Sequence, residues 1–119
     1  MKILIADDSD VIRQRLYELL SDIRNIEIVG FAKSTSEAFT LIDKLKPDAM
    51  ILDIHFTDGS GIDVLRYTKK FFPNIIITIS TNFPYPQYKN ECMKLGADFF
   101  LDKSIEFEKI SDIFKELAE

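Results

Sequence analysis

The stretch Ile3-Leu4-Ile5-Ala6-Asp7-Asp8 decides the fold class, because it is an uninterrupted apolar run that stops at two acids. Strands that are buried on both faces of a sheet read as continuous apolar runs, without the alternation of a half-exposed strand. Two similar runs follow, Ala49-Met50-Ile51-Leu52 before Asp53, and the β-branched run Ile75-Ile76-Ile77-Thr78-Ile79-Ser80. The sequence therefore predicts a parallel sheet that is covered by helices on both sides.

Segments with apolar residues at helical spacing separate these runs. We expect the second helix to be capped by Ser34, the fourth to run from about Pro86 to Gly96, and the last to be capped by Ser104. Two shorter strands complete the set, at 26–31 and 99–101. Five strands that alternate with five helices predict one α/β domain over residues 1–119.

Composition excludes several classes of protein. With 15 Lys and Arg against 20 Asp and Glu, the net charge is −5, which argues against direct binding of nucleic acid. The single cysteine, Cys92, cannot form an intrachain disulfide, which fits a cytoplasmic protein. Its side chain is expected to be buried. No apolar stretch reaches the ~18–20 residues of a membrane span, so no membrane association is predicted.

Polar residues stand where the predicted strands end. The first strand ends at Asp7 and Asp8, the third at Asp53, the fourth at Ser80 and Thr81, and the fifth at Asp102 and Lys103. Because the carboxyl ends of parallel strands meet at one edge, these side chains should lie together. Clustered carboxylates repel one another unless a cation lies among them, and Mg²⁺ prefers hard oxygen ligands.

A carboxylate in such a cluster can attack phosphorus, while a metal ion and a lysine neutralise the charge of the phosphoryl group in transit. The pattern therefore predicts Mg²⁺-dependent transfer of a phosphoryl group to Asp53. Mn²⁺ is expected to substitute for Mg²⁺.

These residues resemble the receiver domains of two-component response regulators, and the resemblance covers essentially the whole chain. Thr81 follows Asp53 by 28 residues and Lys103 follows Thr81 by 22, which is similar to the family's spacing. The other matching motifs are Asp7-Asp8-Ser9, Leu52-Asp53, Gly61 and Gly96-Ala97-Asp98. The resemblance implies a flavodoxin-like (βα)5 sandwich whose five parallel strands have the order 2-1-3-4-5.

The resemblance also implies roles for particular residues. A histidine kinase or a histidine phosphotransfer protein would donate the phosphoryl group to Asp53. The implied metal ligands are Asp7, Asp8, Asp53 and the backbone carbonyl of His55. Thr81 would be the switch hydroxyl and Lys103 the ion-pair partner of the phosphoryl group, and Phe100 occupies the position of the switch aromatic.

Three alternatives stay open. Ser80 would replace Thr81 as the switch residue if the fourth strand ended one residue earlier. A degenerate receiver would act as an interaction module without phosphorylation, since Thr57 and Asn82 depart from the family pattern. An aspartyl-nucleophile phosphatase is the third alternative, although His55 stands where such enzymes generally have a second acid. We expect no enzyme activity beyond the domain's own phosphorylation and slow dephosphorylation.

The family's usual output face is its fourth helix, fifth strand and fifth helix. Tyr85 and Tyr88, at the entry to the fourth helix, are candidate output residues, and packing of that loop against the core is the alternative. The expected downstream partner is either another protein or an output domain missing from this sequence. A phosphorylation-dependent homodimer is a further expectation.

Overall fold

The computed structural model describes all residues from 1 to 119. The strands are β1 Lys2–Ala6, β2 Glu27–Ala32, β3 Ala49–Leu52, β4 His55–Phe56, β5 Gly59–Ser60, β6 Ile76–Thr81 and β7 Phe99–Asp102. The helices are α1 Asp10–Leu20, α2 Thr35–Leu45, α3 Gly61–Phe71, α4 Pro86–Lys94 and α5 Lys109–Leu117. None of the helices has both the length and the hydropathy that crossing a membrane would require.

Five strands form one parallel sheet in the order β2-β1-β3-β6-β7. Since β6 and β7 are the fourth and fifth strands of this sheet, the predicted order 2-1-3-4-5 is confirmed. Residues of α1 and α5 pack in one core cluster, and residues of α2, α3 and α4 pack in the other. The result is the three-layer flavodoxin-like sandwich that the sequence predicted.

Alternation along the strands divides the core into these two clusters. Ile5 and Ile51 lie in the cluster with α1 and α5, whereas Ala6 and Leu52 lie in the cluster with α2, α3 and α4. Side chains on a strand point to opposite faces in turn. The position of a residue along its strand therefore determines the face of the sheet on which its side chain lies.

A short hairpin follows β3, and the sequence analysis did not predict it. Strands β4 and β5 pair in antiparallel fashion around a two-residue turn, Thr57-Asp58. Asp58 lies in this turn and Gly59 follows it, and both residue types are common in turns. The hairpin leads directly into α3.

The start of the last helix was predicted wrongly. Helix α5 begins at Lys109, and Glu108 rather than Ser104 stands at its N-cap. The Ser104 hydroxyl donates instead to the carboxylate of Asp102, at 2.6 Å, and its backbone N–H donates to the same oxygen at 2.9 Å. Serine competes for local hydrogen bonds in turns as readily as it caps helices, and here the turn was favoured.

The other predicted helix ends are confirmed. The Ser34 hydroxyl accepts from the backbone N–H of Glu37 at the start of α2. Helix α4 starts at Pro86, and Gly96 just beyond its end has a φ of 102°, which a residue with a side chain rarely adopts.

Candidate functional site

Asp7, Asp8 and Asp53 meet at the carboxyl edge of the sheet. Each can offer a carboxylate oxygen, and these oxygens lie within 4.8 Å of one another. Asp7 is 3% exposed and Asp53 is 7% exposed, whereas Asp8 faces solvent. Two acids of the cluster are therefore shielded from water and the third stands at its mouth.

Lys103 joins two of these acids. Its Nζ donates to Asp7 Oδ2 at 2.6 Å and to Asp53 Oδ2 at 2.9 Å, and the lysine is itself buried. Burial acts to lower the pKa of Lys103, but hydrogen bonds and charge from Asp7 and Asp53 outweigh it, so the pKa is raised. The ammonium group therefore stays protonated, with two carboxylates on one cation.

Burial raises the pKa of Asp53 above its usual range, although the charge of Lys103 and its hydrogen bond act in the opposite direction. The pKa is raised at both partners of this ion pair, although an ion pair alone would lower the pKa of Asp53. Burial of Asp53 and the charge of Asp7 account for the difference. The Lys103 ammonium lies against both carboxylates and favours the ionised form of Asp53, which is the form that can act as a nucleophile.

The donor set fits a hard divalent cation. The three carboxylates carry three negative charges, and Lys103 supplies a single positive one within the cluster. Such an excess of negative charge in a buried place is relieved by a bound cation. Oxygen ligands at one edge, open to solvent at Asp8, suit Mg²⁺, which retains part of its water shell.

Gly61 allows the backbone at the start of α3 to lie close to the backbone of Asp53. A Cβ atom at this position would lie 1.8 Å from the backbone oxygen of Asp53, which no side chain can tolerate. The Gly61 N–H also donates to the carbonyl of Ile54 at 2.6 Å. The glycine therefore lets the first residue of α3 contact the turn that carries Asp53.

Arg13 and Ser9 shape the turn after β1. The Arg13 guanidinium is buried, donates to the backbone oxygen of Asp7 at 2.7 Å and pairs with the Asp10 carboxylate. The Ser9 N–H donates to Asp7 Oδ1 at 2.9 Å, and the Ser9 hydroxyl caps α1. Asp7 is thus held through its backbone and through both carboxylate oxygens.

The two candidate switch hydroxyls lie in different surroundings. Thr81 is fully buried, and its hydroxyl accepts from the backbone N–H of Phe83 at 3.0 Å. Ser80 is 2% exposed, and its hydroxyl has no hydrogen-bond partner within the chain. Neither hydroxyl bonds to Lys103 or to the acids in this structure.

His55, two residues after Asp53, packs its ring in a group of aromatic side chains. Its imidazole ring packs against Phe83 at 4.5 Å and Tyr88 at 5.7 Å between ring centroids. Tyr85 continues the group, at 6.2 Å from Phe83 and 5.8 Å from Tyr88. Tyr85 is 49% exposed and Tyr88 is half-buried, so the segment both contacts the core and faces solvent.

Phe100, the predicted switch aromatic, lies half-buried on β7. It packs against the core cluster on the side of α2, α3 and α4. It pairs in register with Ile79, two residues before Thr81 on the neighbouring strand. Phe100 and Thr81 thus project from the same face of the sheet.

Sequence reasoning missed two residues that fix the site. Asp58 accepts from the backbone N–H groups of Thr35 at 2.9 Å and Ser36 at 3.1 Å, which ties the hairpin to α2. The residue type of Asp58 is compatible with a turn, but it does not indicate this contact. Arg13 gave a signal only for its helical ion pair with Asp10, because its bond to Asp7 depends on the folded turn.

Comparisons with known proteins agree with this geometry. The family model described as the response regulator receiver domain matches residues 3–115. The chain is 26% identical over 99% of its length to the transcriptional activator DevR/DosR of Mycobacterium tuberculosis, and covers 54% of that protein. It is 34% identical to a protein-glutamate methylesterase/protein-glutamine glutaminase of Methanospirillum hungatei, with 98% of the chain and 35% of that protein covered.

The solved structures give the same result. The response regulator domain of Thermotoga maritima CheB superposes with a TM-score of 0.86 at 26% identity, covering 99% of this chain and 92% of that one. A LuxR-family response regulator of Staphylococcus aureus gives a TM-score of 0.89 at 25% identity, with 99% and 98% covered. The chain spans about half the length of the first curated relatives it matches, at 54% and 57%. The chain belongs to the family of response regulator receiver domains.

Proposed function

We propose that residues 1–119 act as one phosphoacceptor domain, which takes a phosphoryl group from a phosphohistidine donor onto Asp53. The observation that supports this best is the buried arrangement of Asp53 and Asp7 on a single lysine, with Asp8 beside them. A structural ion pair needs one carboxylate, whereas three carboxylates at one edge suit a cation and an incoming phosphoryl group. The fold provides the open edge that a protein donor requires.

In the proposed step, a carboxylate oxygen of Asp53 attacks phosphorus while the bond from phosphorus to the donor histidine nitrogen breaks. The Asp53 Oδ1 atom accepts from the backbone N–H of Ile54 at 2.7 Å, which holds the carboxylate in a fixed orientation. Asp7, Asp8, Asp53 and the backbone carbonyl of His55 would hold Mg²⁺, or Mn²⁺ in its place. A bound divalent cation supplies charge neutralisation for the phosphoryl oxygens.

Lys103 would then pair with the phosphoryl group, since its ammonium already lies 2.9 Å from Asp53 Oδ2. Thr81 would supply the switch hydroxyl, exchanging its present contact with Phe83 for a phosphoryl oxygen. Phe100, on the same face as Thr81, would respond by repacking. Beyond its own phosphorylation and slow dephosphorylation, no catalysis is proposed.

The proposed partners follow from this role. A histidine kinase or phosphotransfer protein in the cytoplasm would be the donor, and a downstream protein or a further domain would read the α4, β7 and α5 face. A phosphorylation-dependent homodimer through that face is part of the same proposal. Tyr85 and Tyr88, on the aromatic segment that contacts His55, would take part in these contacts. Replacing both tyrosines with alanine should weaken partner binding or self-association, and unchanged binding would reject this role for them.

The decisive experiment is intact mass spectrometry after incubation with Mg²⁺ and acetyl phosphate. The wild-type chain should gain one phosphoryl mass, and Asp53→Asn should gain none. Asp48→Asn is a matched control, because Asp48 lies just before β3, at the opposite end of that strand, and its carboxylate accepts only the backbone N–H of Lys2. If neither acetyl phosphate nor beryllofluoride modifies the wild type, the domain acts without phosphorylation.

The switch residues need a separate test. Thr81→Ala should still accept the phosphoryl group but should lose the conformational response at α4. Normal response in Thr81→Ala together with loss in Ser80→Ala would transfer the switch role to Ser80. His55→Ala should change the phosphoryl lifetime, because His55 follows Asp53 by two residues and its ring packs against Phe83, next to the switch segment; an unchanged lifetime would remove His55 from the mechanism.

A further inference from the structure

The hydroxyl of Ser80 is buried without a partner. Ser80 is 2% exposed, and the only other buried polar side chain without a hydrogen bond is that of Thr78. A buried polar group that makes no hydrogen bond destabilises the folded state and calls for a physical reason. Alanine at position 80 would not bury an unpaired hydroxyl, so the Ser80 hydroxyl does not contribute to the stability of the fold.

The register of the sheet places Ser80 next to the acceptor. Strands β3 and β6 pair Ile51 with Thr78, so Asp53, two residues further, falls at the level of Ser80. Strands β6 and β7 pair Ser80 with Leu101, and Lys103 follows two residues later. Because side chains alternate between the faces, Ser80 projects to the same side of the sheet as Asp53 and Lys103.

Thr81 projects to the other side. It follows Ser80 directly and shares its face with Ile79, which lies in the core cluster of α2, α3 and α4. Its hydroxyl is also engaged already by the N–H of Phe83. Of the two neighbouring hydroxyls, that of Ser80 is therefore the one whose hydrogen-bonding capacity is unused.

Lys103 has an N–H group available to donate a hydrogen bond to such an acceptor. Its ammonium carries three N–H groups, and two of them are directed at Asp7 and Asp53. If the proposed function holds, a cation would claim Asp7, and Asp53 would become an acyl phosphate, so both present partners of the lysine would change. A lysine side chain is flexible and would need a fixed neutral acceptor to keep its direction.

We propose that Ser80 is a positioning residue for Lys103 in the phosphorylated state. Its hydroxyl accepts a hydrogen bond from the ammonium group and keeps that group directed at the phosphoryl oxygens. This inference rests on the proposed function. It adds a second hydroxyl to the site, on the opposite face from Thr81 and with a different task.

Thr78→Val is the matched control for Ser80→Ala. Thr78 lies on the same strand and the same face, is equally buried and has an equally unpaired hydroxyl, but it is two residues further from the acceptor. Both substitutions remove an unpaired buried hydroxyl, so both should leave thermal stability unchanged or raised. Only Ser80→Ala should affect the site.

The test measures beryllofluoride affinity in the presence of Mg²⁺, Mg²⁺ affinity alone, and melting temperature for the wild type and both variants. Ser80→Ala should weaken beryllofluoride binding by about tenfold, in line with loss of one charge-assisted hydrogen bond, with Mg²⁺ affinity and melting unchanged. Thr78→Val should match the wild type throughout. Wild-type affinity in Ser80→Ala, or an equal loss in Thr78→Val, would overturn the inference.

The outcome separates this inference from the proposed function. If the wild type itself binds no beryllofluoride and gains no phosphoryl mass, the proposed function fails; if only Ser80→Ala behaves as wild type, the inference alone fails. Should Ser80→Ala fold poorly, Ser80→Thr and Ser80→Val form a second pair of nearly equal shape. The threonine variant should bind beryllofluoride more tightly than the valine variant, and equal affinities would overturn the role of the hydroxyl.

Discussion

Helices α2 and α4, which both contact α3, begin in opposite ways. The first turn of α2 is satisfied by side chains, with Ser34 accepting from Glu37 and Asp58 accepting from Thr35 and Ser36. Helix α4 has Tyr85 at its N-cap and no side-chain hydrogen bond there. Uncapped helix ends have lower local stability, so the chain is anchored on the α2 side and free to rearrange on the α4 side.

This contrast assigns different tasks to the two sides. The hairpin joins the segment after Asp53 to α2 through Asp58, so the α2 side holds the acceptor in place. The segment after Thr81 carries exposed aromatic residues into α4, so a change at the acceptor would be expressed there. Four predictions test this division.

The largest effect should come from Gly61→Ala, which breaks the anchored side. The added Cβ would overlap the backbone of Asp53, so we expect a loss of more than about 2 kcal/mol in unfolding free energy and no phosphoryl acceptance. Denaturant unfolding and intact mass measure the two effects. Gly59→Ala is the control, since its Cβ would meet only Thr35, at 3.3 Å from Oγ1; a similar loss there would show that the hairpin is generally intolerant.

Asp58→Asn should loosen the anchor of α2 without removing a site residue. Hydrogen bonds from the backbone of Thr35 hold the pKa of Asp58 below its usual range. Because the folded-state pKa is lowered, the stabilisation is complete above the unfolded-state pKa and is lost as the pH falls through the folded-state value. The stability difference from the wild type should therefore be complete at pH 7 and should begin to decrease as the pH falls below about 4, toward the lowered folded-state value.

Urea unfolding at several pH values measures this difference, and hydrogen exchange locates it at the start of α2. Asp48→Asn serves as the control, because that carboxylate accepts a backbone N–H at the far end of the sheet. It should leave exchange at α2 unchanged. A pH-independent difference for Asp58→Asn would show that charge is not responsible for the anchor.

Tyr85→Ser should make α4 more like α2. Tyr85 already has the extended N-cap conformation, with φ −68° and ψ 144°, and a serine there could accept a hydrogen bond from the first turn. Relative to Tyr85→Ala, which removes the same ring, we expect about 0.5–1 kcal/mol of added stability and slower exchange in α4. The response of α4 to beryllofluoride should be smaller in the serine variant, and an equal response in both would separate capping from switching.

Cys92 provides the smallest and most local readout. It is fully buried on the inner side of α4, and burial, with a lesser contribution from the charge of Glu91, raises its pKa to about 11. Because the thiolate is the reactive form, iodoacetamide at pH 8 should label the folded domain only slowly. Labelling should rise modestly with beryllofluoride if α4 opens, and rapid labelling of the resting domain would mean that α4 is already mobile.

The sequence was sufficient for the parts of the molecule that depend on local pattern. Apolar runs gave the strands, and the acids that end them gave the site edge, because parallel strands share that edge. The contacts made by Asp58 and Arg13 could not be predicted, since each depends on the position of a backbone group that is brought close only by folding. Ser104 was assigned wrongly because a serine suits a turn as well as a helix cap.

The ion pair between Lys103 and Asp7 joins residues 96 positions apart, and that between Lys103 and Asp53 spans 50. Synthesis proceeds from the N-terminus, so a growing chain carries all three acids long before it carries the lysine. The cluster cannot reach its resting charge balance until β7 has docked at the edge of the sheet. A nascent chain therefore lacks the complete site, and we expect phosphoryl acceptance only after the domain has folded.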